Sequence, residues 1–306
     1  MLAAARESGM QVVWDLCHYG LPHDVDIWSA DFVDRYAAFA GAAAWIVRQE
    51  SNAVPVWCPM NETSFWAWAG GDQGWLFPHA KGRGNELKRQ LVRATLAAMG
   101  AVRRVDPRAR FLHAEPLIYI TAHPNRPEHR ELAEAYRLAQ YQVWDMLRGS
   151  LAPELGGAPE YLDIIGVNYY FNNQWVHEFE TMGMGHRLYR PLHELLSEVH
   201  ARYGRPLTIS ETGAEGANGP GWLRYIGAEV RTALRRGIPL EGVCIYPVMD
   251  YPGWDNARHC SCGLIQLTDD YTARSVDPEM LLALQDEAES YRVAKVLAFR
   301  PGIAAE

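Results

Sequence analysis

The chain has 306 residues, 48% of them apolar, and a formal net charge of −8, which is enough material for a sizeable core. The negative balance argues against nucleic acid or an anionic membrane as partner, and no run approaches the ~20 apolar residues that a membrane-spanning helix needs. Five cysteines at irregular spacing do not make a disulfide framework, and the first residues lack the basic-then-apolar pattern of a secretory signal; together these point to a reducing cytoplasm.

In chain order, residues 2–8 read as a short helix that leads into an apolar strand at 11–19. A helix over 31–48 follows, with the alanine-rich run 37–47 as its expected buried part. The next strand, 54–62, ends in Asn61-Glu62, and a loop carrying Trp66, Trp68, Trp75 and three glycines comes after it. Over 86–104, Leu87, Leu91, Leu96, Met99 and Val102 fall near one helical face, with Asn85 as the expected N-cap and Pro107 beyond the end. Strands at 110–117, 162–170, 206–213 and 242–250 alternate with helices at 128–147, 192–203 and 221–236. The tail reads as helix at 279–290 and 291–299, with no strand between. Strand and helix alternating, with strands that are nearly continuous apolar runs, predict a parallel sheet covered on both faces.

Polar residues collect at the C-terminal ends of those strands: Asp15 and His18, Asn61 and Glu62, Glu115, Asn168 and Tyr169, Glu211, and Asp250. That is where a (β/α)8 barrel builds its site. An open doubly wound sheet would usually carry a glycine-rich phosphate turn after its first strand, and no such motif follows any strand here. The expected fold is therefore a TIM-type barrel forming one domain over residues 1–306.

Two carboxylates, Glu62 and Glu211, end buried strands far apart in sequence. Burying a carboxylate is costly unless it is paired or has chemistry to do. A retaining glycosidase uses such a pair, one to protonate the leaving oxygen and one to attack the sugar carbon from the other face. The order Trp14-Asp15-Leu16, Asn61-Glu62, Asn168-Tyr169-Tyr170 and Ile209-Ser210-Glu211-Thr212-Gly213 resembles glycoside hydrolase family 1 and, more broadly, the clan A glycoside hydrolases, over residues 11 to about 264. The resemblance implies a β-glucosidase-like enzyme acting on a small-molecule or oligosaccharide glycoside, without cofactor or metal. It implies Glu62 as general acid/base, Glu211 as nucleophile, Asn61 as ligand of the sugar 2-hydroxyl, and Tyr169 as hydrogen-bond partner of Glu211. Asn168, His18, Trp254 and Asp250 complete the expected substrate contacts.

The chain also departs from the family pattern. The family's histidine before Trp-Asp-Leu is Val13, the proline after the acid/base is Thr63, and the asparagine after the nucleophile is Thr212. The Trp-Ser-x-x-Asp of the last strand becomes Tyr246-Pro247-Val248-Met249-Asp250, and a sugar-gripping glutamate is replaced by Gly253. The strand at 11–19 matches the third strand of the family barrel. The first two strand–helix units, with a glutamine and an arginine expected near sugar and nucleophile, have no counterpart. About six strands are therefore expected, with a gap between the strands of Trp14 and Cys244, and self-association. Two other readings stand beside the enzyme: a barrel that binds carbohydrate or a protein partner without turnover, and a metal-dependent hydrolase. The second has only His18 and His113 near strand ends to offer as ligands. The His259-Cys260-Ser261-Cys262 run has no second compact Cys/His pair to complete a zinc site.

Overall fold

The computed structural model describes residues 1–254, 256–268, 270 and 272–298. Six parallel strands form one sheet in chain order: β1 (Val13–Asp15), β2 (Val56–Cys58), β3 (Arg110–Pro116), β4 (Ile164–Asn168), β5 (Leu207–Thr212) and β6 (Leu240–Ile245). Each strand pairs with its successor, from Val13 opposite Val56 through to Thr212 opposite Ile245. The sheet is an incomplete barrel. β1 and β6 are not paired with each other, and each keeps one open edge.

Burial follows position in the sheet. β2 and β4 are buried at every residue and β3 at all but its two ends, whereas β1 and β6 are largely exposed or half-buried. A parallel strand is covered on both faces only when helices and neighbouring strands flank it, and the edge strands lack that cover on one side.

The helices α1 (Leu2–Glu7), α2 (Ala30–Glu50), α3 (Thr63–Trp66), α4 (Gly84–Val105), α5 (Arg130–Ala139), α6 (Gln142–Arg148), α7 (Leu192–Tyr203), α8 (Gly219–Arg235) and α9 (Pro278–Ala298) lie before, between and after the strands. One core cluster joins Phe32, Tyr36 and Ala40 of α2 to Leu87, Leu91 and Met99 of α4 and to Trp57 and Phe111 beneath them. A second joins β4 and β5 to α7 and α8 through Ile165, Ile209, Leu196 and Ile226. Both arise where apolar residues recur at three- and four-residue spacing on a helix facing a strand.

Four expectations need correction. The helix expected over 128–147 is split at Gln140 and Tyr141. The Gln140 amide donates to the Arg137 carbonyl (2.6 Å), which a continuing helix would have given to the backbone of Tyr141, and its oxygen accepts from the Ile118 N–H (2.9 Å). Helix α4 begins at Gly84 rather than after Asn85, because the Asp72 carboxylate accepts from the Gly84 N–H at 2.6 Å. Run 37–47 is not wholly buried: Phe39, Trp45 and Ile46 are 52%, 59% and 50% exposed on the outer side of α2. The tail forms one helix, α9, and Phe299 of the expected second helix lies outside the described residues.

Candidate active site

Glu62 stands four residues beyond the end of β2 at Cys58, and its backbone is pinned. Its N–H donates to the Ala114 carbonyl of β3 (2.9 Å), and its own carbonyl starts α3 by accepting from Trp66 (2.9 Å). The turn between these two commitments puts Glu62 at φ 43°, ψ 56°, a left-handed conformation that a side chain rarely adopts and that clusters at functional sites. Glu211 lies within β5. Gly213 beyond it leaves room for the Tyr246 carbonyl, which would stand 2.2 Å from a Cβ at that position.

The register between β4 and β5 slips after Val167, so that Asn168 faces Glu211. This bulge decides which tyrosine reaches the nucleophile candidate. The Tyr170 hydroxyl donates to Glu211 Oε2 at 2.9 Å. Tyr169, expected in that role, turns the other way. Its hydroxyl meets Tyr189 (2.9 Å) and Gln174 (2.8 Å), and its ring stacks on Trp222 beneath the sheet. A bulge reverses the alternation of faces along a strand, so the expectation failed by one residue.

Glu62 accepts on both oxygens, from the Tyr19 hydroxyl and from the Asn168 amide (3.0 Å). Asn168 is fixed in turn by Ser210, whose hydroxyl donates to its oxygen at 2.6 Å. His18 Nδ1 meets Asp15 at 2.9 Å, and its ring lies roughly parallel to that of Trp254, 6.1 Å away. His18, Tyr19, Glu62, Tyr170, Glu211, Tyr246 and Trp254 all face one cleft of about 1570 Å³. Trp254 is 62% exposed at its mouth. Trp68 and Trp75 continue the wall, while Trp66 is core, with its indole N–H on the Phe77 carbonyl.

Three expected substrate contacts do not line this cleft. Asn61 is buried behind it, and its amide is engaged by Tyr19 (3.0 Å) and Asn168 (3.3 Å). Asn168 is itself fully buried and acts through Glu62. Asp250 is also buried. It holds the segment after β6 by accepting from the backbone of Gly263 (2.8 Å) and Leu267 (3.1 Å), and it meets His259 Nε2 at 3.2 Å, which engages its carboxylate away from the cleft. Tyr19 and Tyr170 are functional candidates that sequence reasoning passed over. Tyr170 sits inside the Asn-Tyr-Tyr motif, and Tyr19 falls at the end of the expected first strand. That strand stops at Asp15, after which the chain turns Tyr19 back with φ 66°.

Burial raises the Glu62 carboxyl above its ordinary range, against the opposing hydrogen bonds of Tyr19 and Asn168. Burial, then the Glu62 charge, pushes Glu211 up to about 7, with Tyr170 and His18 pulling the other way. The two carboxyls thus titrate as a coupled pair. Glu115 on β3 is pushed up to about 8, chiefly by burial, and accepts from the Ser64 N–H at 3.0 Å. Burial disfavours charge on His18, but Asp15 outweighs it and raises the imidazole. The thiol of Cys17 is pushed up to about 12 by burial and that of Cys58 well above its usual range, so neither is a ready nucleophile. Among the described residues no group of three or more His, Cys, Asp or Glu could hold a metal ion.

No protein-family model matches the sequence, and no curated protein does. Solved structures do match the fold. A β-glycosidase from Thermosphaera aggregans superposes with a TM-score of 0.76 at 18% identity, over 94% of this chain and 69% of that one. A β-glucosidase from Thermotoga maritima in complex with glucoimidazole gives 0.75 at 16% identity, over 95% and 76%. An enzyme from Alicyclobacillus herbarius gives 0.77 at 17%, over 94% and 76%. The chain has the fold of β-glucosidase barrels, in an incomplete form.

Proposed function

We propose that residues 1–306 act as one catalytic domain, a retaining, β-glucosidase-like glycoside hydrolase of the family 1 type, acting on a small-molecule or oligosaccharide glycoside. What supports the reading is one observation: Glu62 and Glu211, from strands distant in sequence, face the same aromatic-walled cleft at the C-terminal ends of the strands. Glu211 attacks the anomeric carbon as the bond to the leaving oxygen breaks, and Glu62 gives that oxygen its proton. Water then attacks the glycosyl-enzyme while Glu62 takes a proton from it, which restores both carboxyls. Tyr170 favours the ionised form of Glu211. His18 and Trp254 offer a stacking and hydrogen-bonding wall to the sugar. The cycle needs no cofactor, and five free cysteines suit a reducing, cytoplasmic setting.

A second reading, carbohydrate binding without turnover, draws support from Glu211 itself. Its carboxyl is raised to about 7, and among the described residues His18 is the cationic group that lowers it. A nucleophile held half-protonated at neutral pH is a weak one. Hydrolysis of a panel of nitrophenyl glycosides by the wild-type chain and by Glu211→Gly separates the two readings. Release of nitrophenol by the wild type and at least ~10³-fold less by the variant is the expected result. Saturable binding with no release by either protein would favour the binder.

A further inference from the structure

Given that Glu62 is the acid/base, we propose that Tyr19 is a positioning residue that makes both Glu62 oxygens hydrogen-bond acceptors, and so sets this carboxyl for the water-activating step. Four groups close a ring. Tyr19 donates to Glu62 Oε2, Asn168 donates to Glu62 Oε1 (3.0 Å) and to Asn61 Oδ1 (3.3 Å), and Asn61 Nδ2 donates to the Tyr19 oxygen (3.0 Å). The directions are fixed by chemistry. Ser210 occupies the Asn168 oxygen (2.6 Å), so the Asn168 amide hydrogens face Glu62 and Asn61. Asn61 then presents only hydrogens to Tyr19, which leaves the phenol proton for Glu62. A proton added to Glu62 would have to displace one of these donors.

Backbone conformation points the same way. Tyr19 and Glu62 both have left-handed φ, 66° and 43°. Two unfavourable conformations at the two ends of one hydrogen bond mark a contact that the surrounding packing enforces. The Tyr19 ring is held between Phe65, at 5.6 Å, and Trp254, at 6.0 Å. Burial and the Glu62 charge keep its phenol protonated far above the usual range, so it acts as donor at every working pH.

The titratable groups around Glu62 come from every strand facing the cleft: Asp15 and His18 at the end of β1, Glu115 on β3, Tyr170 after β4, Glu211 on β5 and Tyr246 after β6. The Glu62 charge raises both Glu115 and Glu211, while burial disfavours charge on Glu62 itself, and among the described residues His18 is the cationic group that favours it. The neutral donors Tyr19 and Asn168 supply the rest. Removing the Tyr19 hydroxyl therefore keeps the proton on Glu62 to higher pH. Leaving-group protonation survives this change, and water activation suffers.

The test is a carbon-13 NMR titration of the full chain labelled at the glutamate carboxyls and the tyrosine ζ carbons, with Glu62→Gln used for assignment. In the wild type the Tyr19 resonance should move at the Glu62 midpoint. In Tyr19→Phe the Glu62 midpoint should rise by about one pH unit. Turnover of a dinitrophenyl glycoside, which needs no acid assistance, should show its low-pH limb moving up in step. An unmoved Glu62 midpoint in Tyr19→Phe, or a Tyr19 resonance that stays flat through the Glu62 titration, would overturn the proposal. The wild-type resonance decides the matter should the variant not fold. Because titration needs no turnover, a chain that proves inactive on every glycoside still returns one of these two answers.

Discussion

Tyr169 and Tyr170 adjoin in sequence and serve opposite sides of the sheet. The hydroxyl of Tyr170 stabilises charge on Glu211, whereas that of Tyr169 ties β4 to Tyr189 and Gln174. Tyr170→Phe should raise the Glu211 midpoint above about 7 and move the low-pH limb of kcat/KM upward with it. Tyr169→Phe should leave the pH profile in place and cost about 1 kcal/mol of stability in urea unfolding. The same carboxyl makes stability depend on pH. Glu211 holds its proton in the folded state up to about 7, but releases it near 4.5 when unfolded. The folded state therefore binds more protons between those values, and this group's contribution falls as pH rises through that window. Glu211→Gln, which keeps the shape and removes the charge, should then be more stable than wild type at pH 8, by roughly 2 kcal/mol, with the difference gone by about pH 4. Equal thermal shifts at both pH values would contradict this.

Strands and long helices are the elements most readable in the sequence. Five of the six strands fall inside the expected ranges, because a buried parallel strand is a dense apolar run, while β6 begins at Leu240, two residues ahead of its range, and α7 coincides with its expected span. The two catalytic candidates were legible for the same reason: a carboxylate after such a run stands out. Less legible was anything set by contacts between strands. The bulge after Val167, which selects Tyr170 over Tyr169, depends on a partner 41 residues away in sequence and leaves no periodic signal. The buried Gln140 that breaks the helix answers an orphan N–H on another segment, and Asp250 is consumed by backbone donors that become its neighbours only on folding. Gly166 shows how tight these strand contacts are. A Cβ there would lie 2.6 Å from Leu112 and 2.7 Å from the Ser210 hydroxyl that orients Asn168. Gly166→Ala should cost about 1–3 kcal/mol and also lower kcat, since Asn168 must shift. Loss of stability with kcat intact would show that Ser210 and Asn168 do not govern Glu62.

At the scale of the whole molecule, the open sheet leaves β1 and β6 with unpaired edges, and α2 presents Phe39, Trp45 and Ile46 to solvent. Unpaired strand edges beside apolar surface favour association. Sedimentation should therefore show concentration-dependent oligomers, reduced in a Phe39→Lys, Ile46→Lys variant; a chain monomeric at all concentrations would contradict the inference. The cleft lies at the C-terminal ends of the strands and is lined by both Glu62 and Glu211. The most direct test of their roles is the stereochemistry of azide rescue. Glu211→Gly should regain turnover of an aryl glycoside with azide and release a glycosyl azide of inverted anomeric configuration, because azide replaces the missing nucleophile on its own face. Glu62→Gly should give the azide of retained configuration, because azide replaces water on the glycosyl-enzyme. The same anomer from both variants, or the two outcomes exchanged, would contradict the assignment of Glu211 as nucleophile and Glu62 as acid/base.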